Sequence, residues 1–166
     1  MVQGKYKMKI KDVNKTMVLK HLESMDKSYT KAGFPNGEPV AGGEASTMSE
    51  VALIAYINEK GSEHIPPRPF MRRAYRKSLK KIRPMLLEEA QMIQRGRSTV
   101  KKSLAIIGEY SVLEIRHQIT SGRFKANALS TQKAKGRKNG VKMKVNAPLR
   151  DTGQMLQTVQ HIEVVK

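Results

Sequence analysis

The sequence predicts a small α+β domain: a few antiparallel strands packed against a long central helix and shorter helices, with an extended basic loop or arm. Three observations predict it. Short segments in the first and last parts of the chain alternate apolar and polar residues, as half-buried strands do. Residues 99–120 carry apolar residues at helical spacing around most of the helix circumference. Prolines and glycines separate these segments and indicate loops.

Four segments alternate like strands. Two lie early in the chain, at residues 5–13 ("KYKMKIKDV") and 28–34 ("SYTKAGF"), and two lie late, at 141–147 ("VKMKVNA") and 161–165 ("HIEVV"). Between the first two, Asn14 can cap a helix that carries Val18, Leu22 and Met25 on one face. These segments predict the sheet of the domain.

Helices are predicted over most of the middle of the chain. Thr47 and Glu50 have capping-box spacing ahead of "VALIAYI", which predicts a helix over 48–60 that ends at Gly61, with a strand as the alternative. A second helix begins near Pro69 and is kinked or ended by Pro84; a further helical piece continues to about Arg95. The helix over 99–120, capped by Ser98 or Thr99, is expected to be the longest, and a short one follows "PLRDTG".

The helix that follows Pro69 has two different faces. Its apolar half, predicted to face the core, consists of Phe70, Met71, Ala74, Tyr75, Leu79 and Ile82. Its basic half consists of Arg72, Arg73, Arg76, Lys77, Lys80, Lys81 and Arg83. The preceding prolines stiffen the chain, so they fix where this two-faced helix starts. From the basic half, we select Arg72, Arg73, Arg76, Lys80 and Arg83 as candidates for contact with DNA or an acidic protein.

Length and composition limit the possible functions. A chain of 166 residues is expected to form one domain, 1–166, with mobile loops at 35–46 and 122–140. The absence of cysteine excludes disulfides, thiol nucleophiles and thiolate metal sites. No apolar segment is long enough to span a membrane. The formal net charge of +18 predicts a polyanionic partner, and scarce aromatic residues argue against single-strand binding by base stacking.

No pattern of catalytic or metal-binding residues is recognisable. "DTG" at 151–153 matches the aspartic-protease tripeptide, but too few residues follow to complete a protease lobe, so Asp151 is interpreted as a helix cap with Gln154 as its reciprocal partner. The four histidines lack metal-site spacing, and Glu114 with His117 is typical of a surface ion pair. We therefore expect a protein with no catalytic residues, cofactor or metal.

Three segments, in order, resemble the virion-morphogenesis and tail-completion proteins of tailed bacteriophages, which build the neck between capsid and tail. The first is "IAYINEKGSEHIPPRPFMRRAY", with Asn-Glu, a glycine and then Pro67, Arg68, Pro69 and Phe70. The second is "ALSTQKAKG", and the third is "APLRDTGQMLQTV", with Asp151 and Gly153. Lys60 departs from the family's pattern, in which phenylalanine often precedes the glycine.

The resemblance implies a non-catalytic structural protein of the virion neck, assembled in the host cytoplasm. It implies a homo-oligomeric ring, with six-fold symmetry favoured, that contacts neighbouring neck, connector and tail proteins. Double-stranded DNA would pass through the ring and be contacted without regard to sequence, in keeping with the basic composition. The alternative from another class is a monomeric basic nucleic-acid-binding accessory protein. Light scattering with size-exclusion chromatography would separate these two interpretations.

Overall fold

A computed structural model of the chain describes residues 23–25, 27–34, 48–137, 148–149 and 153–165. Within these ranges lie two strands and five helices longer than one turn. They are β1 (Tyr29–Gly33), α1 (Met48–Lys60), α2 (Phe70–Gln94), α3 (Val100–Ser121), α4 (Leu129–Arg137), α5 (Gln154–Thr158) and β2 (Gln160–Val164). Paired strands with several helices confirm the predicted α+β class.

The sheet joins two distant parts of the sequence. β1 and β2 pair antiparallel, with Tyr29 opposite Val164 and Gly33 opposite Gln160. This confirms the strands predicted at 28–34 and 161–165. Residues 23–25 are helical, as predicted for the helix after Asn14. The rest of that helix, the strands predicted at 5–13 and 141–147 and the loop at 35–46 lie outside the described residues.

Helix α3 is the centre of the fold, because α2 packs along one side of it and the sheet along another. The Oγ1 of Thr99 accepts a hydrogen bond from the amide of Lys102 at 3.3 Å and so caps the helix as predicted. Buried residues recur along its whole length: Val100, Ser103, Ile107, Gly108, Val112, Ile115, Gln118 and Ile119. Much of the broad apolar surface predicted for this helix is therefore buried within the chain, whereas Ile106 and Leu113 on the same helix remain exposed.

Gly108 sets the distance between α3 and the sheet. A Cβ at this position would lie 2.5 Å from Cδ2 of His161 on β2 and 2.7 Å from Oγ1 of Thr30 on β1. Neither neighbour belongs to the helix itself, so a side chain at Gly108 would force the side chains of His161 and Thr30, or the strands that carry them, to shift. The glycine permits both strands to approach the helix backbone closely.

Helix α2 is continuous through Pro84, so Pro84 does not end the helix, and the helical piece predicted after it belongs to the same helix. With 25 residues it is also longer than α3, which has 22. Proline removes one backbone donor and crowds the preceding turn. That local cost is outweighed because α2 packs against α3 over its length, with buried residues on both sides of Pro84 at Ser78 and Ile93.

Phe70 is at the centre of the main core. It is completely buried and meets Phe34 edge to face, with ring centroids 6.3 Å apart. Around it cluster buried residues from α1, α2, α3, α5 and the segments beside α5: Val51, Ala55, Ala74, Val112, Ile115, Ile119, Leu149, Met155 and Val159. The burial predicted for Phe70 is confirmed.

Tyr75 was predicted to face the core, and this prediction is wrong because 64% of the residue is exposed. The buried stripe of α2 instead runs through Phe70, Ala74 and Ser78. A serine is tolerated there since its hydroxyl donates to the Tyr75 carbonyl at 2.9 Å and leaves no unpaired donor in the core. The polar residue concealed the true direction of the stripe.

The predicted loop at 122–140 contains α4, so the expectation of an arm without regular structure is wrong for residues 129–137. Gln132 connects this helix to the segment before it: its amide donates to the Ala128 carbonyl at 3.0 Å, and its side-chain Nε2 donates to the Asn127 carbonyl at 2.7 Å. Residues 122–128 are neither helix nor strand. Residues 138–140 lie outside the described part.

Replacing Phe70 with alanine should lower the free energy of unfolding by about 3 kcal/mol or more, because it removes a fully buried ring from the core. Tyr75→Ala, on the same helix but exposed, should change it by less than about 0.5 kcal/mol. Urea denaturation of both variants measures the difference. Equal midpoints for the two variants would contradict this account of the core.

Candidate nucleic-acid interface

The start of α2 is capped by a side chain from α1. The carboxylate of Glu59 accepts hydrogen bonds from the backbone amides of Met71 at 2.8 Å and Arg72 at 3.2 Å. These amides lie in the first turn of α2, where backbone donors have no partner within the helix, and a negative charge there is stabilised by the helix dipole. Pro69 occupies the N-cap position and has no side-chain acceptor to offer. Glu59 therefore supplies the missing cap.

The segment between α1 and α2 turns back tightly. Gly61 has φ of +82°, and a Cβ there would lie 2.9 Å from both the Ile65 carbonyl oxygen and the Pro67 nitrogen. Glycine is required both for the left-handed conformation and for this contact. Pro67 itself is exposed. The turn brings Arg68 back to the last turn of α1, where its amide donates to the Asn58 carbonyl at 2.7 Å.

Arg68 is a buried arginine held by neutral oxygens. Its guanidinium donates to Oδ1 of Asn58 at 3.0 Å, to Oδ1 of Asn127 at 2.8 Å, and to the carbonyls of Lys125 at 3.1 Å and Ala126 at 3.4 Å. Only 4% of the residue is exposed, and burial lowers the pKa of the guanidinium. We call this cluster the Arg68 junction: Asn58, Arg68 and residues 125–127. It fastens the segment after α3 to the segment before α2.

The basic face of α2 divides into structural and unpartnered cations. Nε of Arg72 contacts Oε1 of Glu59 at 2.9 Å, so this residue belongs to the cap. Arg73 donates to the Arg123 carbonyl at 2.8 Å and stacks over the Phe124 ring at 4.7 Å. The remaining candidates, Arg76, Lys80 and Arg83, are exposed and have no carboxylate within 4 Å among the described residues. Among the described residues, these three therefore have no internal partner to lose when they meet an external anion.

A cleft of about 520 Å³ lies where α2 passes the end of α3. We call it the basic cleft; it is lined by Arg73, Arg76, Lys77, Gln118, Ser121, Gly122 and Arg123. Four of these residues are cations and none is an acid. The segment after α3 thus adds Arg123 to the basic face of α2.

The three segments that carry the phage resemblance meet around a second pocket, of about 290 Å³. The first segment contributes Ile54 and Asn58, and the second contributes Thr131. The third contributes Pro148, Leu149, Gly153, Gln154 and Met155. Gly153 has φ of +83° and stands at the N-cap position of α5, one residue before the helix. Asp151, predicted to cap this helix, lies outside the described residues.

The described residues contain no group of three or more histidines, cysteines or acids that could hold a metal ion. Glu114 and His117 are neighbours on α3, with Oε1 and Nδ1 3.9 Å apart, and the same carboxylate oxygen accepts a 2.8 Å hydrogen bond from Gln118. His117 is more than half exposed. This is the surface pair that the sequence predicted.

Several important residues were missed by sequence reasoning. Asn58 and Glu59 were noted only as the Asn-Glu pair of the family resemblance, although both contact residues 68–72. Arg123 and Asn127 lie in a segment without periodicity, where no signal marks one polar residue above another. The sequence did contain a weak signal for Glu59. Asn58 and Glu59 lie at the end of the apolar helix α1, and Pro69, which precedes α2, has no side chain that could cap that helix.

Comparisons with known proteins gave no assignment. Scans of protein-family models, curated proteins and solved structures produced no match. Within the described part of the chain, no helix is long and apolar enough to cross a membrane.

Glu59→Ala should lower the free energy of unfolding by about 2 kcal/mol, because two backbone donors in the first turn of α2 lose their acceptor. The ion pair adds little since Arg72 is largely exposed. Glu59→Gln retains an acceptor oxygen and should lose about half as much. Glu63→Ala, an exposed acid four residues away, is the control for urea denaturation. A loss as large in this control would contradict the capping role.

Arg68→Lys should destabilise the protein by about 2 kcal/mol or more even though the positive charge is retained. An ammonium group cannot reproduce the planar set of donors that reaches Asn58, Asn127 and two carbonyls together. Arg83→Lys, at an exposed position with no carboxylate partner among the described residues, should change stability by less than about 0.5 kcal/mol. Thermal and urea unfolding of both variants tests this, and similar behaviour of the two would contradict it.

Proposed function

We propose that this chain is a structural subunit of the neck or head–tail junction of a tailed bacteriophage, of the tail-completion or tail-terminator type. In this proposal, identical subunits form a ring, with six-fold symmetry favoured, that joins the capsid connector to the tail. The ring surrounds the DNA channel and contacts the duplex without reading its sequence. It is assembled in the host cytoplasm and remains in the virion.

The observation that carries the proposal is the meeting of the three resembling segments in space. They span residues 54–75, 128–136 and 147–159, and residues from all three line one pocket. The Arg68 junction also joins the first segment to Asn127, directly before the second. The three segments therefore belong to elements that pack together in this fold. Their common location supports a shared packing unit, and with it the family that the sequence resembles.

The charge distribution supports contact with DNA. Folding uses Arg68, Arg72 and Arg73 in internal contacts, whereas Arg76, Lys80 and Arg83 remain exposed without acidic partners among the described residues. Phosphate contacts of this kind hold a duplex without specifying bases. That is the contact a channel needs if DNA of any sequence must pass through it.

Exposed apolar side chains support assembly with other subunits. Large ones lie on three helices at 39–64% exposure: Leu53, Ile54 and Tyr56 on α1, Tyr75, Leu86 and Leu87 on α2, and Ile106 and Leu113 on α3. These side chains are large enough to be buried in contacts with another protein surface. A ring subunit needs two different contact surfaces, one for each neighbour, and helices on several sides offer them.

The test is cryo-electron microscopy of virions of the phage that encodes this chain, together with deletion of its gene. We expect repeated copies in a ring at the head–tail junction. Without the gene, filled heads and separate tails should accumulate, and expression of the chain from a plasmid should restore joined particles.

Two results would overturn the proposal. The chain would not be a neck subunit if it were absent from particles or present as one unrepeated copy. A monomer that co-purifies with cellular nucleic acid and is dispensable for joining would instead identify the accessory-protein alternative.

A further inference from the structure

The basic cleft concentrates more positive charge than the fold uses. Among the described residues, its lining contains four cations, Arg73, Arg76, Lys77 and Arg123, and no carboxylate. Only Arg73 has a described partner, through the Arg123 carbonyl and the Phe124 ring. The other three have no hydrogen bond or ion pair from their side chains within the described residues. Like charges around one cleft repel each other unless an anion lies between them.

The cleft lies at the carboxyl end of α3, where cations could instead serve to neutralise the helix dipole. The hydrogen bonds argue against this role. The His117 carbonyl already accepts from the hydroxyls of Thr120 at 3.1 Å and Ser121 at 2.7 Å. The Gln118 carbonyl accepts from the Gly122 amide at 2.9 Å. None of the four cations donates to a carbonyl of the last turn, so within the described residues their charge is not used to satisfy the hydrogen bonds of this helix end.

Two structural features hold the cleft open in a fixed shape. Gly122 allows a close turn, since a Cβ there would overlap both the Phe124 ring and the Gln118 carbonyl. The turn brings Arg123 beside α2, where its carbonyl receives the Arg73 hydrogen bond. Arg73 is therefore a fixed wall of the cleft, and its contacts position the backbone of Arg123 relative to Arg76 and Lys77. A site formed in advance loses less conformational entropy when an anion binds.

We propose that the basic cleft binds a phosphate group of the nucleic-acid backbone, with Arg76, Lys77 and Arg123 as the phosphate-binding residues. A guanidinium donates two parallel hydrogen bonds to a phosphate, and an ammonium supplies a compact charge beside it. The cleft presents two guanidinium groups, from Arg76 and Arg123, and one ammonium group, from Lys77. Its volume of about 520 Å³ leaves room for the phosphate and the adjoining sugar. This inference rests on the proposed function, because it identifies where the DNA in the channel would be held.

The experiment compares two triple variants that each remove three positive charges. The cleft variant is Arg76→Gln/Lys77→Gln/Arg123→Gln, which leaves Arg73 and its contact with Phe124 intact. The control is Arg95→Gln/Arg97→Gln/Lys101→Gln, whose exposed cations lie at the opposite end of the α2–α3 hairpin. Binding of random duplex DNA is measured across a salt series, with polyglutamate as a second polyanion. Circular dichroism melting verifies that both variants are folded.

We expect the cleft variant to bind duplex DNA about tenfold more weakly, with a log-log salt slope shallower by about 0.9 for the lost phosphate contact. The control should retain the wild-type slope. Inorganic phosphate should shift the amide resonances of Gly122 and Arg123 in the wild type but not in the cleft variant, whereas chloride at equal ionic strength should not. If the triple variant unfolds, Lys77→Glu alone should give the same loss of binding.

Equal losses in the cleft and control variants would overturn the proposal, as would a wild type that does not bind duplex DNA. An equal dependence of polyglutamate binding on the cleft would assign it to an acidic protein instead of phosphate. These outcomes are independent of the neck assignment. A ring in the virion with an unaffected cleft variant rejects only the cleft, whereas a cleft that binds phosphate in a protein absent from virions rejects only the neck.

Discussion

The last turn of α1 controls where α2 begins and in which direction it runs. Asn58 and Glu59 are consecutive, and through them one turn of helix holds both the proline segment and the first amides of the next helix. Because α2 carries the fully buried Phe70 on one side and the basic residues on the other, its placement determines the core and the candidate interface together. Arg68 also binds residues 125–127 and thereby positions the segment that follows Arg123, which lines the basic cleft.

Much of the fold follows from local sequence. Alternation identified β1 and β2, and the apolar spacing, with Ser98 or Thr99 as the cap, placed α3 within one residue of its observed ends. The errors arose where tertiary contacts outweigh local preference. Pro84 was expected to kink or end a helix, but the helix does not end there, because packing against α3 stabilises it on both sides of the proline. Helix α4 has no pronounced apolar face for a pattern to show, and its start is held by contacts between Gln132 and residues 127–128.

The sequence predicted the basic face of α2, but it could not predict which of these residues form a cleft with other segments. Helical spacing separates Arg72, Arg76 and Lys80 from the apolar residues, yet it cannot show that Arg72 is already paired with an acid from another helix. Nor can it show that Arg123, some fifty residues later, completes a cleft with Arg76. The contacts of each cation depend on which segments of the chain pack together. Here the segments before α2 and after α3 are brought together by the turns at Gly61 and Gly122 and by the buried guanidinium of Arg68.

The pairing of β1 with β2 has a consequence for how the protein is made. A ribosome releases residues 29–33 long before residues 160–164, so the first strand must wait for almost the whole chain before it acquires its partner. During that interval the surface of α3 around Gly108 has no sheet to cover it. Pairing the two strands closes a long loop and so costs more chain entropy than forming the local contacts within helices. The sheet is therefore expected to form last. A nascent chain in that state would consist of a helical hairpin with an unpaired strand edge, the species most open to chaperones and to premature association with its neighbours.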